Sequence, residues 1–141
     1  MMELERSLTY FNGHNAFMLH SGISVVSLDE TAATAELHVQ PFHLNLTGQL
    51  HGGLLFTLAD VASGVLAQAD GRKYVTSSAD IHYLRNVGQG VVRANSRLVR
   101  RGKRECVVQV EISDGEGRLL ATATTQFLCV DETPHWKTDE K

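Results

Sequence analysis

Apolar residues follow one another almost without interruption from Leu54 to Ala69, where nearly every side chain is hydrophobic or small. This composition is typical of a helix buried on nearly all sides, and it predicts a helix over residues 52–69. The run contains one ionisable side chain, Asp60. A carboxylate in a buried helix is strongly unfavourable unless it is hydrogen-bonded, paired or used. Asp60 is therefore the first candidate for a functional residue.

Elsewhere the chain alternates between apolar and polar residues, which is the pattern of half-buried strands. The alternation predicts strands over residues 23–28, 31–39, 73–85, 91–100, 104–113 and 119–130. Short glycine-containing turns separate the last four strands, and such turns favour antiparallel hairpins. A weaker helical pattern covers residues 4–20, where Gly13 favours a helix in the second half only.

The most economical arrangement of these elements is an α+β fold, in which one curved antiparallel sheet wraps around one long central helix. The length of 141 residues fits a single domain, 1–141, with its core over about residues 15–130. The polar tail, 131–141, is expected to be loosely held.

Composition and charge argue against several kinds of partner. The net charge is −3, whereas nucleic-acid-binding proteins are usually basic, so no nucleic-acid partner is expected. Asp60 and Gln68 interrupt the longest apolar run before it reaches the roughly 18 residues of a membrane span, so no membrane partner is expected. Neither Cys106 with Cys129 nor the histidines show metal-ligand spacing, and no metal is expected. Because the first residues lack the pattern of a signal peptide, we expect a cytoplasmic protein with two buried thiols.

The central helix has two different faces when it is projected at about 100° per residue. The small and polar face carries Gly53, Thr57, Asp60, Gly64 and Gln68, and the apolar face carries Leu55, Leu58, Ala59, Ala62 and Leu66. The first face suits a cavity or a close partner. Asp60 lies in its middle, where a carboxylate can activate water, attack a substrate itself, or only hydrogen-bond a neighbouring loop or subunit.

Two glycines, Gly52 and Gly53, stand where this helix begins. The first turn of a helix has backbone N–H groups without intrahelical partners and a partial positive charge. Glycine lets a substrate carbonyl approach the backbone closely, so this turn is suited to stabilise an oxyanion. The alternative is that the glycines only make a sharp entry into the helix.

The pattern Asn45-x-x-Gly48-x-x-His51-Gly52-Gly53, followed by Leu58-Ala59-Asp60, resembles the hotdog-fold acyl-CoA thioesterases of the PaaI type. The order of elements over residues 15–130 and the run from Ser78 to Arg85 resemble this family as well. Asn86 departs from the family pattern, in which proline is usual, and we expect the departure to loosen the end of the strand.

The resemblance implies that the protein hydrolyses acyl-CoA thioesters to free carboxylic acid and CoA without a cofactor. It also implies a homo-oligomer, with a dimer of dimers expected, in which the Gly52 N–H polarises the thioester carbonyl and Asp60 comes from the paired subunit. Asn45 is placed near the reacting carbonyl or water, and Thr76 near the catalytic water. For His51, support of the loop by hydrogen bonds is favoured over proton transfer.

Further residues are candidates for substrate binding. Gly53, Leu54 and Val61 are expected beside the acyl group, in a wall to which the strand at 73–85 also contributes. These residues, with Phe42 and Leu50, are uncharged and favour an apolar or aromatic acyl group. Arg101 and Lys103 belong to a basic cluster over residues 97–104, which suits the phosphates of CoA unless it is only a solvated hairpin.

Two other functions fit the same fold. A non-catalytic module that binds acyl-CoA or acyl carrier protein would keep the cavity, but the presence of Asp60, Asn45 and the two glycines speaks against it. A hotdog dehydratase or hydratase would require a catalytic histidine with a partner carboxylate in motifs that this sequence lacks.

Overall fold

Three α-helices and six strands make up residues 2–135, the part of the chain that the structure, a computed structural model, describes. The helices are α1 (Met2–His14), α2 (Ala16–His20) and α3 (Gly52–Ala67), and short 3₁₀ turns cover Pro41–His43 and Gln68–Asp70. The strands are β1 (Ile23–Leu28), β2 (Ala32–His38), β3 (Lys73–Tyr83), β4 (Val91–Arg101), β5 (Glu105–Asp114) and β6 (Leu119–Asp131).

The six strands form one antiparallel sheet in the order β1-β2-β4-β5-β6-β3, and α3 packs against it as the central helix. The expected α+β fold, a curved sheet around one long helix, is confirmed. Alternation along β5 is confirmed as well, because Cys106, Val108, Val110 and Ile112 are all fully buried while the residues between them are more exposed.

The hairpin expected between β3 and β4 does not form. β3 pairs with β6 and lies at one edge of the sheet, whereas β4 lies between β2 and β5. The connection at 84–90 runs past the start of α3, where the backbone N–H of Leu50 donates to the carbonyl of Val87 at 2.9 Å. The glycines of this connection therefore do not form a tight hairpin turn. They lie at the end of a crossover from the edge strand β3 to β4 inside the sheet.

The N-terminal segment also differs from the prediction. α1 continues through Gly13, and the helical segment breaks at Asn15, whose side chain accepts a hydrogen bond from the N–H of Met18 at 3.4 Å and so begins α2. The prediction of a helix in the second half only was wrong, because one glycine lowers helix propensity too little to stop a helix that packs against β1.

The polar tail is not loose over its first residues. β6 extends to Asp131, and the ring of His135 is buried against Tyr10 and Phe11, with ring centroids 5.1 and 4.8 Å away. Asp131 and His135 are therefore anchored, and the rest of the tail, 136–141, lies outside the described residues.

α3 and the turn after it form a 19-residue segment, Gly52–Asp70, with a mean hydropathy of 1.3. By length and composition alone this segment could cross a membrane, so Asp60 and Gln68 do not shorten it as expected. Half of the segment is buried inside the protein, however, and Leu55, Leu58 and Leu66 are almost completely covered. Its apolar composition is therefore explained by its place against the sheet.

Candidate active site

The two faces predicted for the central helix are present in the structure. Leu55, Leu58, Ala59, Ala62 and Leu66 are buried, whereas Gly53 is exposed and Thr57, Asp60, Gly64 and Gln68 are half-buried. The helix is thus not buried on all sides, and Asp60 lies on the side that faces solvent and a groove. This position removes the burial cost that first drew attention to the carboxylate.

Asp60 is held by a residue of the edge strand. The hydroxyl of Thr76 on β3 donates to Oδ1 of Asp60 at 2.7 Å. Within residues 2–135 no hydrogen bond or ion pair to Oδ2 is found, so this oxygen remains available to accept a proton. The structure therefore brings two of the proposed catalytic residues together within one chain.

His51 organises the start of α3 as its N-cap. Its ring nitrogen Nδ1 accepts from the N–H of Gly53 at 2.9 Å, and its carbonyl accepts from the N–H of Leu54 at 2.9 Å. Since Nδ1 is the acceptor, the neutral ring carries its proton on Nε2. Of the two glycines, Gly53 thus has its N–H engaged, while the N–H of Gly52 has no acceptor among the described residues.

The end of β3 and the connection that follows it hold the backbone on both sides of His51. The hydroxyl of Tyr83 donates to the carbonyl of Gly52 at 2.8 Å, and Nδ2 of Asn86 donates to the carbonyl of Leu50 at 2.8 Å. The expectation that Asn86 loosens the end of the strand was wrong, because its side chain ties this end to the loop before α3. Sequence reasoning missed Tyr83, since no local pattern shows which carbonyl a distant phenol reaches.

Asn45 shapes the loop that leads to α3. Its Oδ1 accepts from the N–H and the hydroxyl of Thr47 at 2.9 and 2.7 Å, and from the N–H of Gln49 at 3.2 Å. Its Nδ2 has no acceptor in the part of the chain that the structure describes. Asn45 therefore folds its own loop with the oxygen and retains two N–H donors for another group.

Two open grooves border the exposed face of α3 and share Phe17 and Thr57. The first, about 530 Å³, contains Asp60, Val61 and Thr76, and the second, about 400 Å³, lies at the start of the helix. The second groove is lined by aromatic, histidine and small residues and one leucine: Phe17, His20, Ser21, Phe42, His43, His51, Gly53, Leu54 and Thr57. Leu50, expected in the same wall, is instead fully buried in the core.

Arg101 is engaged at the other end of α3. Its Nη1 donates to the carbonyl of Ala67 at 2.9 Å and to Oδ2 of Asp70 at 3.1 Å, and its Nη2 donates to the carbonyl of Leu66 at 3.0 Å. The guanidinium thus caps the C-terminal end of the helix. The structure therefore separates Arg101 from Lys103, which lies with Arg100 and Arg104 beside a depression of about 370 Å³ on the opposite side of the turn.

A polar network surrounds this cap. The hydroxyl of Tyr74 donates to Oδ2 of Asp70 at 2.6 Å and accepts from Nη2 of Arg72 at 2.6 Å. Burial and the neighbouring Asp70 raise the pKa of Tyr74 to about 12. Burial alone would raise the pKa of Asp70, but the hydrogen bonds from Tyr74 and Arg72 outweigh it and lower that pKa. Both pKa shifts favour the same state, an ionised Asp70 beside a neutral Tyr74. We therefore interpret the network as structural.

The two thiols and the histidines form no centre of their own. Cys106 and Cys129 are both free, and only Cys106 is buried, which raises the pKa of its thiol, while Cys129 is half-buried. Among residues 2–135 no group of three or more His, Cys, Asp or Glu side chains is arranged to hold a metal ion.

A helix start with one open N–H, a carboxylate on the same helix and a sheet around that helix define a class of protein. The chain belongs to the thioesterase superfamily, whose family model matches residues 47–121. Its fold is the hotdog fold, and among thioesterases it is of the PaaI type.

Individual relatives support this membership. The chain is 32% identical to the acyl-coenzyme A thioesterase PaaI of Escherichia coli over 101 residues, which cover 71% of this chain and 72% of that protein. The solved structure of E. coli PaaI superimposes with a TM-score of 0.83 at 26% identity, covering 92% of this chain and 97% of that one. The structure of a hypothetical thioesterase from Streptococcus pneumoniae TIGR4 with coenzyme A matches with a TM-score of 0.75 at 28% identity, covering 79% and 90% of the two chains.

Proposed function

We propose that this protein hydrolyses acyl-CoA thioesters, with Asp60 and the N–H of Gly52 as the reacting groups. The observation that carries the proposal is the N–H of Gly52, left without an acceptor at the positive end of α3 in a thioesterase fold. A thioester carbonyl oxygen gains negative charge during hydrolysis, and such an N–H stabilises that charge.

The reaction follows from these two groups. Oδ2 of Asp60 takes a proton from a water molecule whose oxygen attacks the carbonyl carbon, and the resulting oxyanion is stabilised by the Gly52 N–H. The C–S bond then breaks, the carboxylic acid forms, and the proton passes from Asp60 to the CoA thiolate. In direct attack, Asp60 would instead displace the CoA thiolate and form an anhydride, and water would hydrolyse the anhydride to the carboxylic acid and the Asp60 carboxylate, with the released proton going to the thiolate.

One chain does not hold both groups close enough to act on one carbonyl. Gly52 and Asp60 are eight residues apart on α3, so they lie about 12 Å apart along the helix. Reacting groups must come within about 3–3.5 Å of the same centre. The site therefore needs Gly52 of one subunit and Asp60 of another. The long edge strand β3 also favours a homodimer, because it has one neighbouring strand in the described chain and is largely exposed.

Mixing two inactive variants tests whether the site is shared. Asp60→Asn lacks the carboxylate, and Gly52→Pro lacks the N–H. After the subunits exchange, half of the dimers pair one variant with the other, and one of their two sites is intact, so activity should return to about a quarter of the wild-type value. If no activity returns although mass spectrometry shows mixed dimers, the site lies within one chain.

The principal test of the function is turnover of a panel of aryl-, medium- and long-chain acyl-CoAs. Asp60→Asn can still accept the hydrogen bond from Thr76, so we expect stability to be kept while kcat falls about 10²-fold or more. The matched control is Glu116→Gln, which neutralises an exposed carboxylate in a distant turn. Wild-type turnover no faster than that of Asp60→Asn would refute the function, and binding without turnover would indicate a non-catalytic module.

We also propose a binding site for each of the two parts of the substrate, the acyl group and CoA. The groove at the start of α3 is lined by Phe17, Phe42 and Leu54, which suits an apolar or aromatic acyl group. The basic depression beside Lys103 suits the phosphates of CoA, and a structurally similar thioesterase was solved with coenzyme A. Arg101 is not included, because its donors are already engaged.

A further inference from the structure

We infer that Tyr83 and Asn86 are positioning residues, which hold the backbone around His51 so that the Gly52 N–H points at one fixed place. The inference rests on the proposed function, because it assigns the N–H to the reacting carbonyl. Neither side chain reaches the substrate in this proposal. Both act through the peptide groups that they bind.

Three consecutive peptide groups make up the start of α3, and the carbonyls of the first and the third accept hydrogen bonds from distant side chains. In the Leu50–His51 group, the carbonyl accepts from Nδ2 of Asn86 at 2.8 Å and the N–H donates to the carbonyl of His43 at 3.0 Å. In the Gly52–Gly53 group, the carbonyl accepts from Tyr83 at 2.8 Å and the N–H donates to Nδ1 of His51 at 2.9 Å.

The peptide group between these two is the one that carries the free N–H. The carbonyl of His51 accepts from the N–H groups of Leu54 and Leu55 at 2.9 and 3.2 Å, while the N–H of Gly52 has no acceptor within residues 2–135. Of the six polar groups in the three units, five are therefore satisfied by the protein. Because the peptide group is planar, the N–H of Gly52 points opposite to the carbonyl of His51, and the two hydrogen bonds to that carbonyl, together with the bonds to both neighbouring groups, hold its direction.

Glycine alone would not provide this order. Gly52 and Gly53 have the freest backbones of any residue type, and an oxyanion donor works best when no reorganisation is needed. Tyr83 lies directly over Gly52, since a methyl group added there would meet its Cζ and hydroxyl at 3.4 Å. The phenol thus limits the position of Gly52 from one side, and His51 limits Gly53 from the other.

Asn86 has a second contact that aims its amide group. Its Oδ1 accepts from the N–H of Val87 at 2.8 Å, which leaves Nδ2 directed at the carbonyl of Leu50. The N–H of Leu50 in turn donates to the carbonyl of Val87 at 2.9 Å. A proline at this position, usual in the family that the sequence resembles, has no side-chain donor for that carbonyl.

The test uses Tyr83→Phe and Asn86→Ala in the full-length protein, each of which removes a donor without adding atoms. Loss of one positioning contact should lower kcat about tenfold, which is less than the loss of an oxyanion donor itself, and should leave KM within about twofold. The matched controls are Tyr10→Phe and Asn95→Ala, which change the same residue types outside both grooves and should leave both constants unchanged.

A second measurement reads the backbone directly. In ¹⁵N-labelled protein, hydrogen exchange of the Gly53 amide, which is bonded to His51, should become about tenfold faster in Tyr83→Phe than in Tyr10→Phe. The inference is overturned if kcat stays within twofold in both variants, or if Gly53 exchange is unchanged in Tyr83→Phe. If wild-type protein hydrolyses no acyl-CoA, the proposed function fails, and Gly53 exchange alone then decides whether Tyr83 orders this backbone.

Discussion

The two ends of α3 differ in whether the protein itself provides hydrogen-bond partners for their backbone groups. At the C-terminal end, Arg101 donates to the carbonyls of Leu66 and Ala67, and the side chains around Asp70 fix the guanidinium in place. At the N-terminal end, the N–H of Gly52 has no acceptor in the part of the chain that the structure describes. A side chain thus takes up the negative end of the helix dipole, whereas the positive end, where the ring of His51 binds only the N–H of Gly53, keeps one open N–H.

This difference separates stability from chemistry along a single helix. Polar groups at helix ends must find partners, and a protein that supplies its own partner gains stability there. An end without its own partner is instead a binding site for an anion or a developing oxyanion. Changes at the N-terminal end should therefore affect turnover first, and changes at the C-terminal end should affect folding first.

The largest effect is expected from Gly52→Pro, which removes the open N–H. Proline is favourable at the first position of a helix, and His51 already has the extended backbone, φ −64° and ψ 134°, that a residue before proline requires. We expect kcat to fall about 10²-fold or more while the melting temperature changes little.

Gly52→Ala is the steric control for this variant, because it keeps the N–H and adds the same Cβ. The proline variant should lose at least about tenfold more activity than the alanine variant. Equal losses in the two variants would mean that the added atoms, and not the missing N–H, reduce turnover.

The next effect is expected at the closed end, from Arg101→Ala. This change removes the donor to the carbonyl of Ala67 and leaves the carbonyl of Leu66 with only the backbone N–H of Gln68. It should lower the free energy of unfolding by about 2 kcal/mol, with kcat and KM of the folded protein unchanged. Urea denaturation and steady-state kinetics measure both quantities. The control is Arg97→Ala, an exposed arginine bonded to Gln109, for which we expect a change within about 0.5 kcal/mol.

A different outcome for Arg101 would support the role in binding the CoA phosphates that its place in the basic cluster suggested. If Arg101→Ala raised KM for acyl-CoA and left stability intact, the guanidinium would serve the CoA phosphates and the helix end would not depend on it.

The smallest effect is expected from Lys103→Ala, outside both helix ends. An exposed charge pair contributes little, so KM should rise by about two- to fivefold at low salt and kcat should stay unchanged. Added salt should reduce the difference, because exposed charges are screened. Lys73→Ala removes the same charge elsewhere, and an equal rise in KM for that variant would show a general effect of net charge and no phosphate site.

The sequence was sufficient for the elements whose pattern is local. Alternation located the buried faces of β2, β4 and β5, and the helical projection separated the two faces of α3. Burial dictates these patterns residue by residue, so they can be read without knowledge of distant contacts. The position of Asp60 in the middle of the half-exposed face followed in the same way.

Contacts between distant residues were beyond the sequence. Arg101 is 34 residues from the carbonyl of Ala67, and its place within a basic cluster suggested a surface role. Tyr83 is 31 residues from Gly52, and its strand was expected to pair with β4. Both errors have one cause, because each contact depends on long-range packing around α3 that neither a basic cluster nor a short glycine turn encodes.

The edge strand β3 positions two separate residues of the helix beside it. Thr76 near one end of the strand holds Asp60, and Tyr83 at the other end holds Gly52, so the register of a single strand sets both reacting groups. A slip by two residues would preserve the faces of the strand but would displace both contacts by about 7 Å. Insertions and deletions within β3 should therefore be far less compatible with activity than those in the exposed turn at 115–117 between β5 and β6.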